Sequence, residues 1–340
     1  MVKSNLSREW QDFTATKPKI IDHEQGLTGI RDQINVQALE NISRLKEPSF
    51  QALADHVEAN DEHISLPEVD GHKFRVRIYK PKRASDDELP VMLYFHSGYW
   101  STGNADTDEL GCRAMIAHGN DLIVVSFEYR LIPEAPWNVM LSDAQYAVKW
   151  LYNKAKEYGG DVGKGFLVGG SVAGAHLAAT SVIRARYSYP EINITGQCII
   201  VPVVLSSVSL DQLPRTWKNL VTSHEENSNS PLLTEDQYQR YLLALNVPDD
   251  QSKKGENFPA WAEHQGLPSA YLAMDGPDPI RDEGYLYDKL LREAGVPTRI
   301  DHYELPNWFV QFPNLPSTSK AGMELAAGVR WLLEGNKYAL

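Results

Sequence analysis

The stretch Val168-Gly169-Gly170-Ser171-Val172-Ala173-Gly174-Ala175-His176-Leu177-Ala178-Ala179 decides the fold. The apolar run Gly165 to Val168 (GFLV) leads into it, glycines crowd its middle, and an alanine-rich segment leaves it. Glycines tolerate backbone angles that other residues avoid, and alanine is the best helix former. The pattern is a buried strand that turns tightly into a helix running from Ala173 to Ala185.

Outward from this point the same rhythm repeats. Val91 to Phe95 (VMLYF), Leu122 to Phe127 (LIVVSF), Cys198 to Val204 (CIIVPVV), Ala270 to Met274 (AYLAM) and Arg299 to Tyr303 are further expected strands. Helical stretches are expected at Asp108 to His118, Ser142 to Ala155, Glu283 to Ala294 and Thr318 to Leu333. Uninterrupted apolar strands alternating with amphipathic helices predict an α/β fold, a mostly parallel sheet with helices on both faces. Upstream, His63 to Lys80 holds two alternating segments, ISLPEV and FRVRIYK, joined by the turn signal Asp70-Gly71. The lead segment is expected to be helical at Ser7 to Phe13 and Gln33 to Leu45. Ser206 to Gln265 breaks the rhythm, being polar and rich in Asn, Ser and Pro, with one helical piece from Asp236 to Leu245. The expected organisation is a single domain over 1–340. Residues 1–48 and 206–265 would form a helical cap over the sheet's carboxyl edge, where open α/β sheets bind ligands.

Composition excludes several classes of function. The chain has 340 residues, 42% hydrophobic and 23% charged, which fits a globular protein able to bury a large core. Its formal charge of −12 opposes a nucleic-acid-binding role and gives no attraction to anionic lipid. Cys112 and Cys198 stand far apart without metal-ligand spacing, so both are expected to be buried, reduced thiols. Neither a metal nor a cofactor is expected. Nothing resembles a signal peptide or a membrane-spanning run, and a cytoplasmic setting is the expectation. The expected partner is a small apolar molecule; a homodimer is allowed.

Four further passages bear on chemistry: Phe95-His96-Ser97-Gly98-Tyr99-Trp100, Glu128-Tyr129-Arg130-Leu131-Ile132-Pro133-Glu134, Asp278-Pro279-Ile280-Arg281-Asp282-Glu283-Gly284 and Leu305-Pro306-Asn307-Trp308-Phe309. With the Val168 stretch they resemble, in order and spacing, the hormone-sensitive-lipase-like carboxylesterase branch of the α/β-hydrolase fold, over nearly the whole chain. The resemblance implies ester hydrolysis by a Ser–Asp–His triad, with an oxyanion hole from a His-Gly-Gly-Gly loop and the N–H after the nucleophile.

Matched position by position, the apparatus departs from that pattern. The turn offers two registers. With Ser171 as nucleophile the motif ends on Ala173 instead of glycine. With Val172 at that position, Gly170 and Gly174 both fall into place, so Val172 is expected to replace the nucleophile and Ser171 to precede it. Asn307 stands where the family places its histidine, and an amide takes no proton near neutral pH. His302 is expected to be an ordinary strand histidine and His176 a packing or helix-end residue. The oxyanion loop has become His96-Ser97-Gly98-Tyr99. Here His96 braces the loop, Ser97 keeps an N–H, and Tyr99 either enters the pocket or packs away from it. Asp278 matches the triad acid; without its histidine it either bonds Asn307 or faces a ligand as an acid or base. Arg281, Asp282 and Glu283 are expected to fix the loop and open the next helix.

The expected catalytic residues are Asp278, Tyr99 and Ser171. The expected substrate-binding residues are His96, Ser97, Gly98, Tyr99, Trp100, Ser171, Val172 and Trp308. Triad members act as a unit, so a chain lacking nucleophile and base is not an ordinary serine hydrolase. The leading expectation is a non-hydrolytic cyclase or isomerase, pericyclic or aldol-type, acting on a small apolar carbonyl compound by preorganised binding. The alternatives are a ligand-binding receptor, like receptor members of this family whose histidine is replaced, and a residual esterase using Ser171.

Overall fold

The computed structural model describes residues 6–18, 20–22, 24–69, 71–83, 87–206, 210 and 212–335. Among them one sheet is built from β1 (Val57–Ser65), β2 (Lys73–Pro81), β3 (Val91–Phe95), β4 (Ile123–Phe127), β5 (Phe166–Ser171), β6 (Gly196–Ile200), β7 (Ser269–Asp275) and β8 (Thr298–Tyr303). The spatial order is β1-β2-β4-β3-β5-β6-β7-β8. β1 and β2 are antiparallel to their neighbours, and every later pairing is parallel. The helices longer than one turn are α1 (Arg8–Ala15), α2 (Gly26–Ser43), α3 (Gln51–His56), α4 (Glu109–Ala117), α5 (Trp137–Lys154), α6 (Ala173–Ser188), α7 (Glu235–Ala244), α8 (Arg281–Glu293) and α9 (Pro316–Leu333).

β3 and β4 are buried at every position because both faces of the sheet are covered. Side chains alternate between the faces. Leu93, Phe95, Val168 and Leu272 pack in one cluster with residues of α5, α6 and α8. Met92, Tyr94, Leu167, Tyr271 and Ala273 pack in the other with residues of α4 and α9. The two faces therefore carry separate cores, and a residue at the end of β5 belongs to one or the other by parity alone.

The first strand differs from expectation. β1 begins at Val57 and ends at Ser65, and Leu66 opens a turn closed by Val69 N–H to Leu66 O. VEANDEHIS lacks apolar alternation because this edge strand is exposed along most of its length, so its ladder with β2 has to hold it. The expected turn residue Asp70 lies outside the described residues. β6 stops at Ile200, not Val204: Val201 takes φ 49° and Pro202 has no N–H to give to the ladder. Val203, Val204 and Leu205 stay fully buried outside the sheet.

The lead helices are tied to the body. Trp10 is buried and packs with Phe13 and Phe312, and Glu9 accepts from the Ser317 N–H at the start of α9. From α2, Arg31 donates to Ser101 O and Ile132 O and pairs with Glu134. No helix of the described residues is long and apolar enough to cross a membrane.

Candidate functional site

The strand-to-helix turn resolves the register. Ser171 is the last residue of β5 and Ala173 the first of α6; between them Val172 takes φ 53°, ψ −109°. A β-branched residue rarely adopts positive φ, and such a conformation costs about 1–3 kcal/mol. The turn is held by Val172 N–H to Ile200 O and by His176 N–H to Val172 O. The glycines on either side are obligatory. A Cβ on Gly174 would lie 1.9 Å from Phe95 O, and one on Gly170 would lie 2.4 Å from the Gly174 carbonyl. Val172 is the apex. Ser171 precedes it and lines a different cavity, together with Tyr94 and Asp275 on the opposite face of the sheet. The hydroxyl expected among the catalytic groups is thus separated from Val172 and Asn307 by strand parity.

Beside the apex lies a buried polar chain. Tyr99 donates its hydroxyl to Asn307 Oδ1 at 2.6 Å, and Asn307 Nδ2 donates to Asp278 Oδ2 at 2.6 Å. Asp278 Oδ1 accepts the Ile280 N–H at 3.0 Å. Asp278 is fully buried, and that burial pushes its carboxyl up to about 7 against the pull of the Asn307 bond. It touches neither solvent nor the cavity and acts on them only through Asn307. Burial and the neighbouring acid hold the Tyr99 phenol well above its ordinary value, so it remains a proton donor. Tyr99 takes φ 48°, a strained position for a bulky residue, and its ring stacks on Tyr241 at 4.7 Å.

The loop around Tyr99 departs from expectation at three residues. Ser97 gives its N–H to Asp108 Oδ2 and its hydroxyl to Asp108 Oδ1, both at 2.9 Å, so neither donor is aimed at a ligand. His96 was expected to line the site; it is sealed, with Nδ1 2.7 Å from Ser97 O and its ring stacked on Tyr129. Trp100 was expected there too; it is fully buried and donates to His176 Nδ1. His176 Nε2 then faces Asn257 O, so this histidine ties the loop to α6 and to the polar segment. Gly98 takes φ 126°, where a Cβ would strike Thr102 O. Among the described residues the backbone N–H groups of Gly98 and Tyr99 have no partner. The Ala173 N–H belongs to the first turn of α6, whose donors a helix leaves unpaired. His302, on β8, meets Tyr285 OH, away from Asn307.

Similarity to known proteins agrees with this geometry. Residues 92–306 match a family model described as alpha/beta hydrolase fold. The chain belongs to the α/β-hydrolase fold family. Within it, the relatives are hormone-sensitive-lipase-like esterases. The chain is 29% identical to a versiconal hemiacetal acetate esterase of Dothistroma septosporum over 92% of both chains. It is 32% identical to Esterase LipI of Mycobacterium tuberculosis, over 76% of this chain and 78% of that one. A solved structure of a vibralactone cyclase superposes with TM-score 0.86 at 26% identity, covering 99% of this chain and 97% of that one.

In this α/β hydrolase the cavity at the apex is nearly closed. It has a volume of about 20 Å³, lined by Val172, Tyr99, Asn307, Trp308, Gly98 and Ser97, together with residues sequence reasoning missed. Those are Ile20, Ile21 and Ile34 from the lead segment, Leu232 and Tyr241 from the polar segment, and Gln311. No motif marks them; only the apolar side chains standing in a polar stretch at Leu232 and Tyr241 could have pointed there. The polar segment is anchored by a second buried network. Glu283 Oε2 accepts the N–H groups of Val204 and Leu205, Tyr238 donates to Oε1, and His224 bridges Glu235 and Glu283 at 2.8 and 3.3 Å. Burial alone would lower His224, but the two carboxylates outweigh it and push it up to about 10, so it is an imidazolium. Among the described residues no group of His, Cys, Asp and Glu is arranged to hold a metal ion.

Proposed function

We propose that this protein is a non-hydrolytic α/β-hydrolase-fold enzyme that cyclises or isomerises a small apolar carbonyl compound. The observation that carries this reading is the valine at the apex of an otherwise intact elbow. No acyl-enzyme forms on an aliphatic side chain, and Asn307 gives the site no base. What survives is the means of binding a carbonyl oxygen: unpaired N–H groups at Gly98 and Tyr99, and beside them the Tyr99 phenol, whose one proton turns from Asn307 Oδ1 to the carbonyl oxygen when substrate binds. Donors fixed in a dry site stabilise charge that develops on an oxygen during bond reorganisation, and they need no covalent intermediate. A substrate enters by turning Tyr241 and the Tyr99 ring aside, because the closed cavity admits little more than one water. The described residues within 1–48 and 206–265 serve as the cap that closes over it. Asp278 positions Asn307, which in turn sets the direction of the phenol. The similarity to a cyclase over nearly the full chain supports the reaction class.

The test pairs two assays. Purified protein is incubated with p-nitrophenyl esters and with a panel of polyene and dicarbonyl intermediates. Ring-closed or isomerised product from the panel is expected, without ester hydrolysis. Tyr99→Phe should lower that turnover by about 10²–10³-fold, as loss of one such donor does elsewhere. Ester hydrolysis by the wild-type protein that disappears in Ser171→Ala would overturn the reading.

A further inference from the structure

A second cavity, of about 260 Å³, lies on the sheet face covered by α4 and α9, with Trp308 and Gln311 forming part of the wall shared with the apex cavity. Its walls are largely apolar and include Leu53, Ile200, Ala273, Phe309 and Leu325. One end is polar. Asp275 is buried, its Oδ2 accepts the Trp308 N–H at 2.9 Å, and its Oδ1 has no hydrogen-bond partner among the described residues. Ser171, also buried, has no partner for its hydroxyl among them. Neither atom is packed shut against protein, so both reach the open space. Leaving two such groups without partners costs about 1–3 kcal/mol each, unless something in the cavity meets them.

An independent feature keeps this volume open. Gly111 sits in the interior of α4 and lines the cavity, yet a Cβ built on it would meet no atom within 4 Å. Glycine inside a helix is destabilising by roughly 0.5–1 kcal/mol relative to alanine, and here no neighbouring atom requires it. The space it leaves is the cavity itself.

We propose that this second cavity is a binding site for a small, uncharged, mainly apolar molecule bearing one hydrogen-bonding oxygen, which meets Asp275 and Ser171 while its hydrocarbon part fills the space toward Gly111. The size suits roughly ten non-hydrogen atoms, since an apolar cavity of about 150 Å³ takes up benzene. An uncharged partner follows from the surroundings. Asp275 is buried and lies near a second buried acid, Asp278; both effects push its carboxyl well above the usual carboxylate range and disfavour its charged form. The oxygens of the other acid in the wall, Asp108, are already taken by Ser97 and Tyr94. The ligand site is separate from the apex, but it shares Trp308, whose N–H Asp275 holds.

The test is binding, not turnover. Menthone, menthol and menthylamine serve as probes in titration calorimetry against the full chain, followed by crystals soaked with menthone. Saturable binding of menthone and menthol is expected, with the oxygen at Asp275. Gly111→Leu fills the space from a position that favours helix, so the variant should fold at least as well as the parent and lose tenfold or more in affinity. Asp275→Leu should weaken menthone in the same way. Binding of none of the probes, density showing water only, unchanged affinity in Gly111→Leu, or tighter binding of menthylamine than of menthone would each overturn the proposal.

Discussion

Replacing Asp278 by asparagine isolates the electrostatics of the buried Tyr99–Asn307–Asp278 chain. Burial raises the Asp278 carboxyl to about 7, while in an unfolded chain it titrates near ~3.9. The folded state therefore holds a proton between those two values that the unfolded state has released. The contribution is fully present below about pH 4 and is lost as pH rises through about 7. Three pH units at ~1.36 kcal/mol each make that loss roughly 4 kcal/mol. In Asp278→Asn the group does not titrate. Its amide keeps the bond to Asn307 Nδ2 but turns a donor toward the Ile280 N–H, at a fixed cost of about 1–3 kcal/mol. Acids that do not sense Asp278 titrate alike in both proteins and cancel in the difference; Asp275, which Asp278 raises, is eased in the variant and adds to its gain at higher pH. The variant should therefore be the less stable protein at pH 3.5 and should gain on the wild type by up to roughly 4 kcal/mol by pH 7.5. For 340 residues at ~2.1 cal/mol/K each, that is a relative shift in Tm of roughly 6 °C. Urea unfolding at several pH values measures it. Parallel profiles for the two proteins would refute the reasoning, because Asp278 would then be ionised throughout, as an acid with a cationic partner is.

The buried imidazolium predicts a dependence of the same sign at higher pH. His224 is raised to about 10, so its stabilisation is complete below about pH 6.5, the unfolded value, and is lost as pH rises through about 10. His224→Gln leaves Glu235 and Glu283 uncompensated and should cost about 3–5 kcal/mol in urea unfolding at pH 7, with the gap to wild type narrowing near pH 10.5. Gly174→Ala should not accumulate as folded protein, since its Cβ would meet the Phe95 carbonyl at 1.9 Å; a normal yield with an unchanged circular dichroism spectrum would mean the elbow is not built as described.

How much was legible in the sequence follows from the physics of each element. β3, β4 and β7 announce themselves because strands covered on both faces must be apolar throughout. β1 does not, because an exposed edge strand carries its information in its partner's backbone. The apex register could be read because a clash with Phe95 enforces glycine at 170 and 174, leaving a fixed spacing. The contact between Asp278 and Asn307 was one of two expectations, and family spacing suggested it. That Tyr99 turns inward, and that Tyr241 covers it, was not legible: a loop side chain's direction depends on φ angles that no local pattern encodes. The second cavity left one trace, a glycine within α4, and a lone helical glycine says nothing until its surroundings are known.

On the proposed reading, Tyr99, Asn307 and Val172 act on one another. Asn307 lies between Tyr99 and Asp278 and spends its carbonyl on the phenol and its amide on the carboxylate. An imidazole at 307 would still meet Asp278 through one nitrogen, but its other nitrogen would face the Tyr99 hydroxyl in place of the residue at the apex. With Tyr99 in place, a base at 307 would be turned away from the apex. Once that is so, a serine at the apex has nothing to take its proton, and valine there forfeits no chemistry while adding apolar contact to a residue 1% exposed. Tyr99 itself holds a strained φ where the family has glycine, and its offset comes from the bond to Asn307 and the stack on Tyr241. Each substitution thus removes the reason to keep the residue beside it, while the elbow glycines and the loop N–H groups, which serve any carbonyl, are retained. On the proposed reading, the retained positions are those that would orient a carbonyl, and the altered ones are those that would attack it.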